Sequence, residues 1–377
     1  MLTCKGVSMS NAKPAPNSSR SSFVARWLWP LRFVLILTIP LSLFDAFRFG
    51  QASQSPNLFA FWPVFVMYGI LTALDYLVGK DTSQPAEDVR TIPLYRWLAL
   101  AALPVQFLSL WWGLHVFTAV NFNWVGQAGW ILSVGAVSGT LAITVAHELI
   151  HKPTRLEQWA GGILLSSVCY GGFKIEHVYG HHVNVSTPLD ASSAKLGQTV
   201  YEFIPQAVWH NTRNAWLLEA KRLNKRGLGW WRNEVLLWSA ISVLFASAAF
   251  AFFGWAGLVF FIGQSAVAFC ELEAINYVEH YGLTRQAAGN GYERVRPEHS
   301  WNSSYRLMNW FLMNLARHSD HHAYASRRYQ ELRHFAEAPQ LPGGYGAMVV
   351  LAFCPPLWFR IIHPRIPAHV RQTGEAT

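Results

Sequence analysis

Six stretches of roughly twenty mostly apolar residues, the length a bilayer requires, govern what this chain can fold into. They are 31–47, 58–78, 97–120, 124–146, 235–253 and 258–278. A segment that crosses lipid must satisfy its backbone donors and acceptors internally, so each is read as a transmembrane helix. The fold class expected is an all-α integral membrane protein with six transmembrane helices and a cytoplasmic helical cap. Composition agrees, since only 14% of residues are charged and 52% are apolar, against roughly 25% charged in soluble proteins. The 18 Trp, 24 Phe and 13 Tyr supply rings that anchor at membrane interfaces. The first stretch is the weakest, because Arg32 and Asp45 interrupt it. Asn121–Asn123 and Gly254–Gly257 are links short enough to force antiparallel hairpins.

Charge sets the orientation. With the N-terminus in the cytoplasm, all Lys and Arg residues except Arg48 fall on the cytoplasmic side, as the positive-inside rule demands. Both termini are then expected on the cytoplasmic side of the membrane. The net charge of +9 follows this topology, so a nucleic-acid partner is not inferred. The expected divisions are a disordered basic tail (1–26), helices one to four (27–146), a first cap segment (147–234), helices five and six (235–278) and a second cap segment (279–377). Asp45, Asp75, Glu271 and Glu273 lie inside spans, where an acid needs a partner or a task.

Nine of the 15 histidines form four groups, all on the cytoplasmic side of this topology. His147 and His151 are spaced i, i+4. His177, His181 and His182 follow at i, i+4 and i+5. His280 ends the sixth span. His318, His321 and His322 fall within five residues, with i, i+3 and i+4 on one helical face. Nine imidazoles at one depth exceed what one ion accepts, so the pattern points to two metals. Imidazole alone suits Zn, Cu, Fe and Ni. His147-Glu148-Leu149-Ile150-His151 also fits the zinc-protease pattern, but that chemistry needs one further ligand rather than seven more histidines. Glu148/His151 and Glu331/His334 fit the Glu-x-x-His of ferritin-like sites, without the carboxylate-rich bundle around them. A non-catalytic haem or metal carrier is the remaining alternative.

The segments HELIHK (147–152), EHVYGHH (176–182), NYVEHYGL (276–283) and RHSDHH (317–322) resemble the four boxes of the integral-membrane alkane monooxygenases. That family belongs to the histidine-rich class of membrane desaturases and hydroxylases. The likeness runs from about His147 to Ile366 and includes 292–303, 327–335 and 338–345. One departure is Ala316, where the family commonly has Gln.

The resemblance implies a non-haem centre of two iron ions held by the nine histidines. It implies hydroxylation of the terminal methyl of linear alkanes with O2 and electrons from rubredoxin, with a rubredoxin reductase upstream. Xylene-type or fatty-acyl hydroxylation or desaturation is the alternative within the same chemistry. Four separated cysteines (Cys4, Cys169, Cys270, Cys354) exclude a fused rubredoxin. Glu148, Glu176, Glu279 and Asp320 are expected to accept the outer N–H of ligand histidines. Asp190, Glu273 and His299 are weaker candidates for such support. Arg327 and Arg328, just past the last box, form a basic edge suited to an acidic electron donor.

Overall fold

The computed structural model describes residues 29–86, 89 and 92–371; the expected basic tail lies outside the described residues. The described chain is mostly helical, with one two-stranded ribbon pairing Ala287–Ala288 against Gly291–Tyr292. Four helices are long and apolar enough to cross a membrane, or five if a bent pair counts as one span. Six were expected, and the difference arises at the first and last of them.

The first span is the bent pair: α1 (Trp29–Thr38) and α2 (Leu41–Ala52) meet at 45°. Pro40 sits at the break, where it has no N–H to continue the helix. The next three spans run close to their expected bounds, as α3 (Pro56–Val78), α4 (Leu94–Ala119) and α5 (Trp124–Ile150). Asn123 starts α5 by accepting a hydrogen bond from Gly126 N at 2.9 Å. Helix α5 ends four residues beyond the expected boundary, because its apolar face continues into the buried Val145, Ala146 and Leu149.

The last two expected spans form a single 47-residue segment, α9 (Glu234–His280), interrupted by the non-helical Gly254 (φ 63°, ψ −155°). Only glycine adopts this conformation without steric cost. An unbroken helix of this length would separate its ends by ~70 Å. Both ends instead meet the same short region. Ser166 Oγ donates to the carbonyl of Trp238 at 3.1 Å, and Tyr170 donates to Glu273 at 2.5 Å. The segment therefore doubles back at Gly254.

The remaining helices gather at one end of the spans: α6 (Arg155–Ser166), α7 (173–184), the long polar α8 (Val200–Arg226), α10 (Arg306–Phe311), α11 (His318–Ala323), α12 (Tyr345–Ala352) and α13 (Pro355–Ile362). They are tied to the linkers there. Asp81 N donates to Ser304 O at 2.7 Å and Arg306 N to Gly79 O at 2.9 Å. Tyr329 donates to the carbonyl of Tyr95 at 2.8 Å, and Arg328 pairs with Glu157 at 2.7 Å. At the opposite end Asn57 accepts from Asn123 N at 2.9 Å.

Asp75 has a structural task. It is 1% exposed and accepts from the backbone N–H of Met308 at 2.9 Å, so α3 caps the first turn of α10. Asp45 faces outward. Replacing Asp75 by alanine leaves the buried Met308 N–H without its acceptor, a loss of about 1–3 kcal/mol. Asp75→Ala should melt several degrees lower in detergent; a melt equal to that of the wild type would show that the cap carries no stability.

Candidate metal centre

The nine histidines converge on two points. His147, His151, His177, His182 and His321 form one group, and His181, His280, His318 and His322 the other; within each, the ring nitrogens lie within 4.8 Å of one another. Four elements place them. The end of α5 presents His147 and His151 one turn apart. The end of α9 presents His280, and α11 presents His318 and His322 on one face.

Helix α7 uses a different device. Residues His177–His181 form a π-turn, whose wider winding brings i and i+5 together. His182 Nε2 thereby lies 3.0 Å from His177 Nε2. The two adjacent pairs, His181–His182 and His321–His322, each send one ring to each group.

The donor chemistry fits metal ions. His318 Nε2 lies 3.1 Å from His280 Nε2 and 2.9 Å from His322 Nε2. His182 Nε2 lies 3.0 Å from both His177 Nε2 and His321 Nε2. One imidazole nitrogen cannot make hydrogen bonds of the ordinary kind with two others that also face inward. A metal ~2.1 Å from each nitrogen would set neighbouring ligands about this far apart. The inner Nε2 atoms of His147, His151 and His181 are buried without any hydrogen-bond partner, as atoms reserved for a metal would be.

Residues 122–352 match the family model for fatty acid desaturases. The chain is 50% identical to alkane 1-monooxygenase 2 of Pseudomonas aeruginosa, over 91% of its own length and 92% of the relative's. It is 49% identical to alkane 1-monooxygenase 2 of Alcanivorax borkumensis, over 88% and 89% of the two chains. The chain belongs to the alkane 1-monooxygenase family. It is an enzyme, an oxidoreductase of that family, and a multi-pass membrane protein. A more distant relative, at 27% identity over 80% of this chain and 81% of its own, is the xylene/toluene monooxygenase hydroxylase component XylM of Pseudomonas putida.

The acidic residues divide by what they touch. Asp190 meets the outer nitrogen of a histidine, His181 Nδ1, at 2.9 Å, and is itself held by Ser193 Oγ at 2.5 Å. Glu279 contacts His318 Nε2 at 3.2 Å and accepts from Tyr345 at 2.9 Å. It therefore approaches the inward nitrogen and not the outer one expected. Glu273 accepts from Tyr170, Asn211 and Asn276. Asn211 also donates to Ser192 Oγ, whose backbone N–H donates to Asp190, so Glu273 reaches His181 through a chain of hydrogen bonds.

Glu148 and Asp320 are engaged elsewhere, because cations lie closer than any imidazole. Glu148 pairs with the buried Lys152 at 3.0 Å, whose ammonium also donates to Arg327 O. Asp320, fully buried, pairs with Arg327 at 3.0 Å and Arg333 at 2.9 Å. Glu176 accepts from Asn214 at 3.1 Å; burial, reinforced by Asp190, pushes its carboxyl up to about 8. His299 holds its own loop, accepting from Arg296 N at 3.0 Å and facing Glu293 at 3.3 Å.

Arg328 is paired with Glu157, so neither expected docking arginine is a loose side chain. Ala316 is buried, with its carbonyl accepting from Ser303 N. Tyr170, Asn211, Tyr345 and Lys152 did not stand out in the sequence. A buried acid near a span end signals that such a donor exists, but not which residue supplies it.

Burial, reinforced by neighbouring imidazoles, holds His151, His177, His182, His318, His321 and His322 well below the usual histidine range. They are neutral and able to donate a lone pair. Burial opposes charge on His181 too, but Asp190 outweighs it and raises that histidine. For the six lowered groups the unfolded chain binds protons below about pH 6.5 while the folded chain does not. Their stabilising effect is therefore present above that pH and lost as pH falls, by up to ~1.4 kcal/mol per pH unit for each. His181 opposes the trend alone. Chelator-treated protein should melt progressively lower from pH 7 to pH 5, and a flat profile would contradict the burial of neutral rings.

Proposed function

We propose that this chain is a non-haem di-iron monooxygenase that hydroxylates the terminal methyl of linear alkanes with O2 and electrons delivered by rubredoxin. The observation that carries this reading is the division of nine buried histidines into a group of five and a group of four, in a member of the alkane 1-monooxygenase family. Two groups call for two ions. Iron is proposed over zinc because the reaction moves electrons, and Zn2+ has no redox chemistry. When bound, the two irons supply the reduction of O2 and the oxidising power to break a primary C–H bond.

The protein's own residues do the rest. All nine histidines serve as ligands, and Asp190 fixes the tautomer of His181. Glu279 stands where it can hold a proton beside His318. Gly139, Ile143 and Thr144 of α5 face Leu272 and Ile275 of α9 across a narrow cavity that reaches His147 and Glu279. An alkane has no polar handle, so its binding comes from burial at about 0.8 kcal/mol per CH2. Position in the slot, not bond strength, then selects the terminal carbon.

The hairpin at Gly254 supports six passes, with the region 27–146 and the region 235–278 in the membrane. The segments 147–234 and 279–377 form a cap on the cytoplasmic face of the inner membrane, with both termini on that side. Rubredoxin, fed by its reductase, is proposed to meet the basic edge of Arg327 and Arg328. Their ion pairs, with 21% and 25% of the side-chain surface exposed, hold that edge in a fixed place.

Whole cells supplied with an n-alkane length series should form 1-alkanols. His321→Ala should lower conversion at least 100-fold and reduce bound iron from two per chain. One zinc and no iron in the purified wild type would end the oxygenase reading, and product from toluene but not from octane would favour the xylene-type alternative.

A further inference from the structure

Glu271 is an acid within the membrane that the metal centre does not use. It projects from α9 toward α3 and α5. Tyr68 donates its hydroxyl proton to Glu271 Oε1, and Thr140 Oγ1 donates to the same oxygen at 3.2 Å. Its other oxygen, Oε2, is buried without a hydrogen-bond partner. Gly139 makes room for it, since a Cβ there would overlap Oε2. All three polar groups line a cavity whose other walls include Met67, Leu71, Met308 and Phe311. That cavity shares Ile275 with the one that reaches His147.

Along α9, Glu271 of the first cavity, the shared Ile275 and Glu279 of the second succeed one another at i, i+4 and i+8. Eight residues of helix rise ~12 Å. The cavity that reaches His147 therefore borders, at Ile275, a second one that carries an acceptor-rich polar cluster.

A carboxyl is costly at this depth when half its hydrogen-bonding capacity is unmet. A methyl group arriving there leaves it unmet. A hydroxyl, which both donates and accepts, satisfies the carboxyl in either protonation state, and the Tyr68 and Thr140 oxygens retain lone pairs for its proton. Sites built to hydrogen-bond a substrate hydroxyl discriminate strongly, because the analogue without it strands the site's polar groups. At ~1.3 Å per carbon–carbon step of an extended chain, ~12 Å corresponds to about nine bonds.

We infer that Glu271, Tyr68 and Thr140 form a subsite for a terminal hydroxyl group. The enzyme then takes primary alcohols of about eight to ten carbons methyl-first and hydroxylates the far end to the α,ω-diol. This rests on the hydroxylase reading above. The reaction balances as HO–(CH2)n–CH3 plus O2, two electrons and two protons giving HO–(CH2)n–CH2OH plus water. One C–H bond breaks, one C–O bond forms, and the electrons come from the same electron-transfer partner.

The test supplies membranes or whole cells carrying the enzyme and its electron donors with the 1-alkanols from six to twelve carbons and with the matching n-alkanes. Wild type should give diols, with a maximum near eight to ten carbons. Glu271→Leu should lower the ratio of diol formed from 1-nonanol to alcohol formed from nonane at least tenfold. The near-isosteric Tyr68→Phe and Thr140→Val should each lower it severalfold, and they carry the test if Glu271→Leu does not accumulate. Absence of diol from wild type, oxidation at the hydroxyl-bearing carbon instead, or an unchanged ratio in the variants would overturn the subsite. Failure to hydroxylate nonane at all would overturn the hydroxylase reading itself.

Discussion

Nine imidazoles share one buried region only because nearly all of them stay neutral, with the second ring nitrogen left unprotonated. Every feature around them serves that condition. Burial keeps the rings neutral. Asp190 answers the outer nitrogen of the one histidine that is raised. The cations nearby, Lys152, Arg327 and Arg333, are neutralised by Glu148 and Asp320 before they can add to the positive charge the rings would feel. Two carboxylates that lie next to histidines in sequence thus protect the centre by holding cations in place rather than by touching imidazoles.

The membrane spans were legible as runs of apolar length, and the histidine groups as spacings. The periodicity of 3.6 explains why His147 joins His151, and His318 joins His322. It could not place His182 beside His177, because i and i+5 diverge on an ordinary helix and converge only through the π-turn. Nor could it reveal that α1 and α2 bend by 45° at Pro40, or that α5 runs on to Ile150. Hydropathy measures transfer into lipid and does not see that a helix end is buried in protein instead.

The partners of the buried acids were the least legible part. Asp75, Glu271 and Glu273 stood out as acids inside spans that need a partner, and Glu279 as an acceptor for a ligand histidine. Their donors, the Met308 N–H, Tyr68, Tyr170 and Tyr345, come from segments tens to hundreds of residues away. Three of the four are tyrosines, which in a chain this rich in rings read as interface anchors. A phenol suits the role because its body packs as an apolar group while its hydroxyl supplies one proton to the acid.

The adjacent histidine pairs have a mechanical consequence. His181 and His182, like His321 and His322, are joined by a single peptide unit, so their Cα atoms stay ~3.8 Å apart. Each pair hands one ring to each cluster. The two clusters are thus yoked at two places by the stiffest link a polypeptide has. Any backbone displacement at one cluster is therefore carried directly to the ligands of the other.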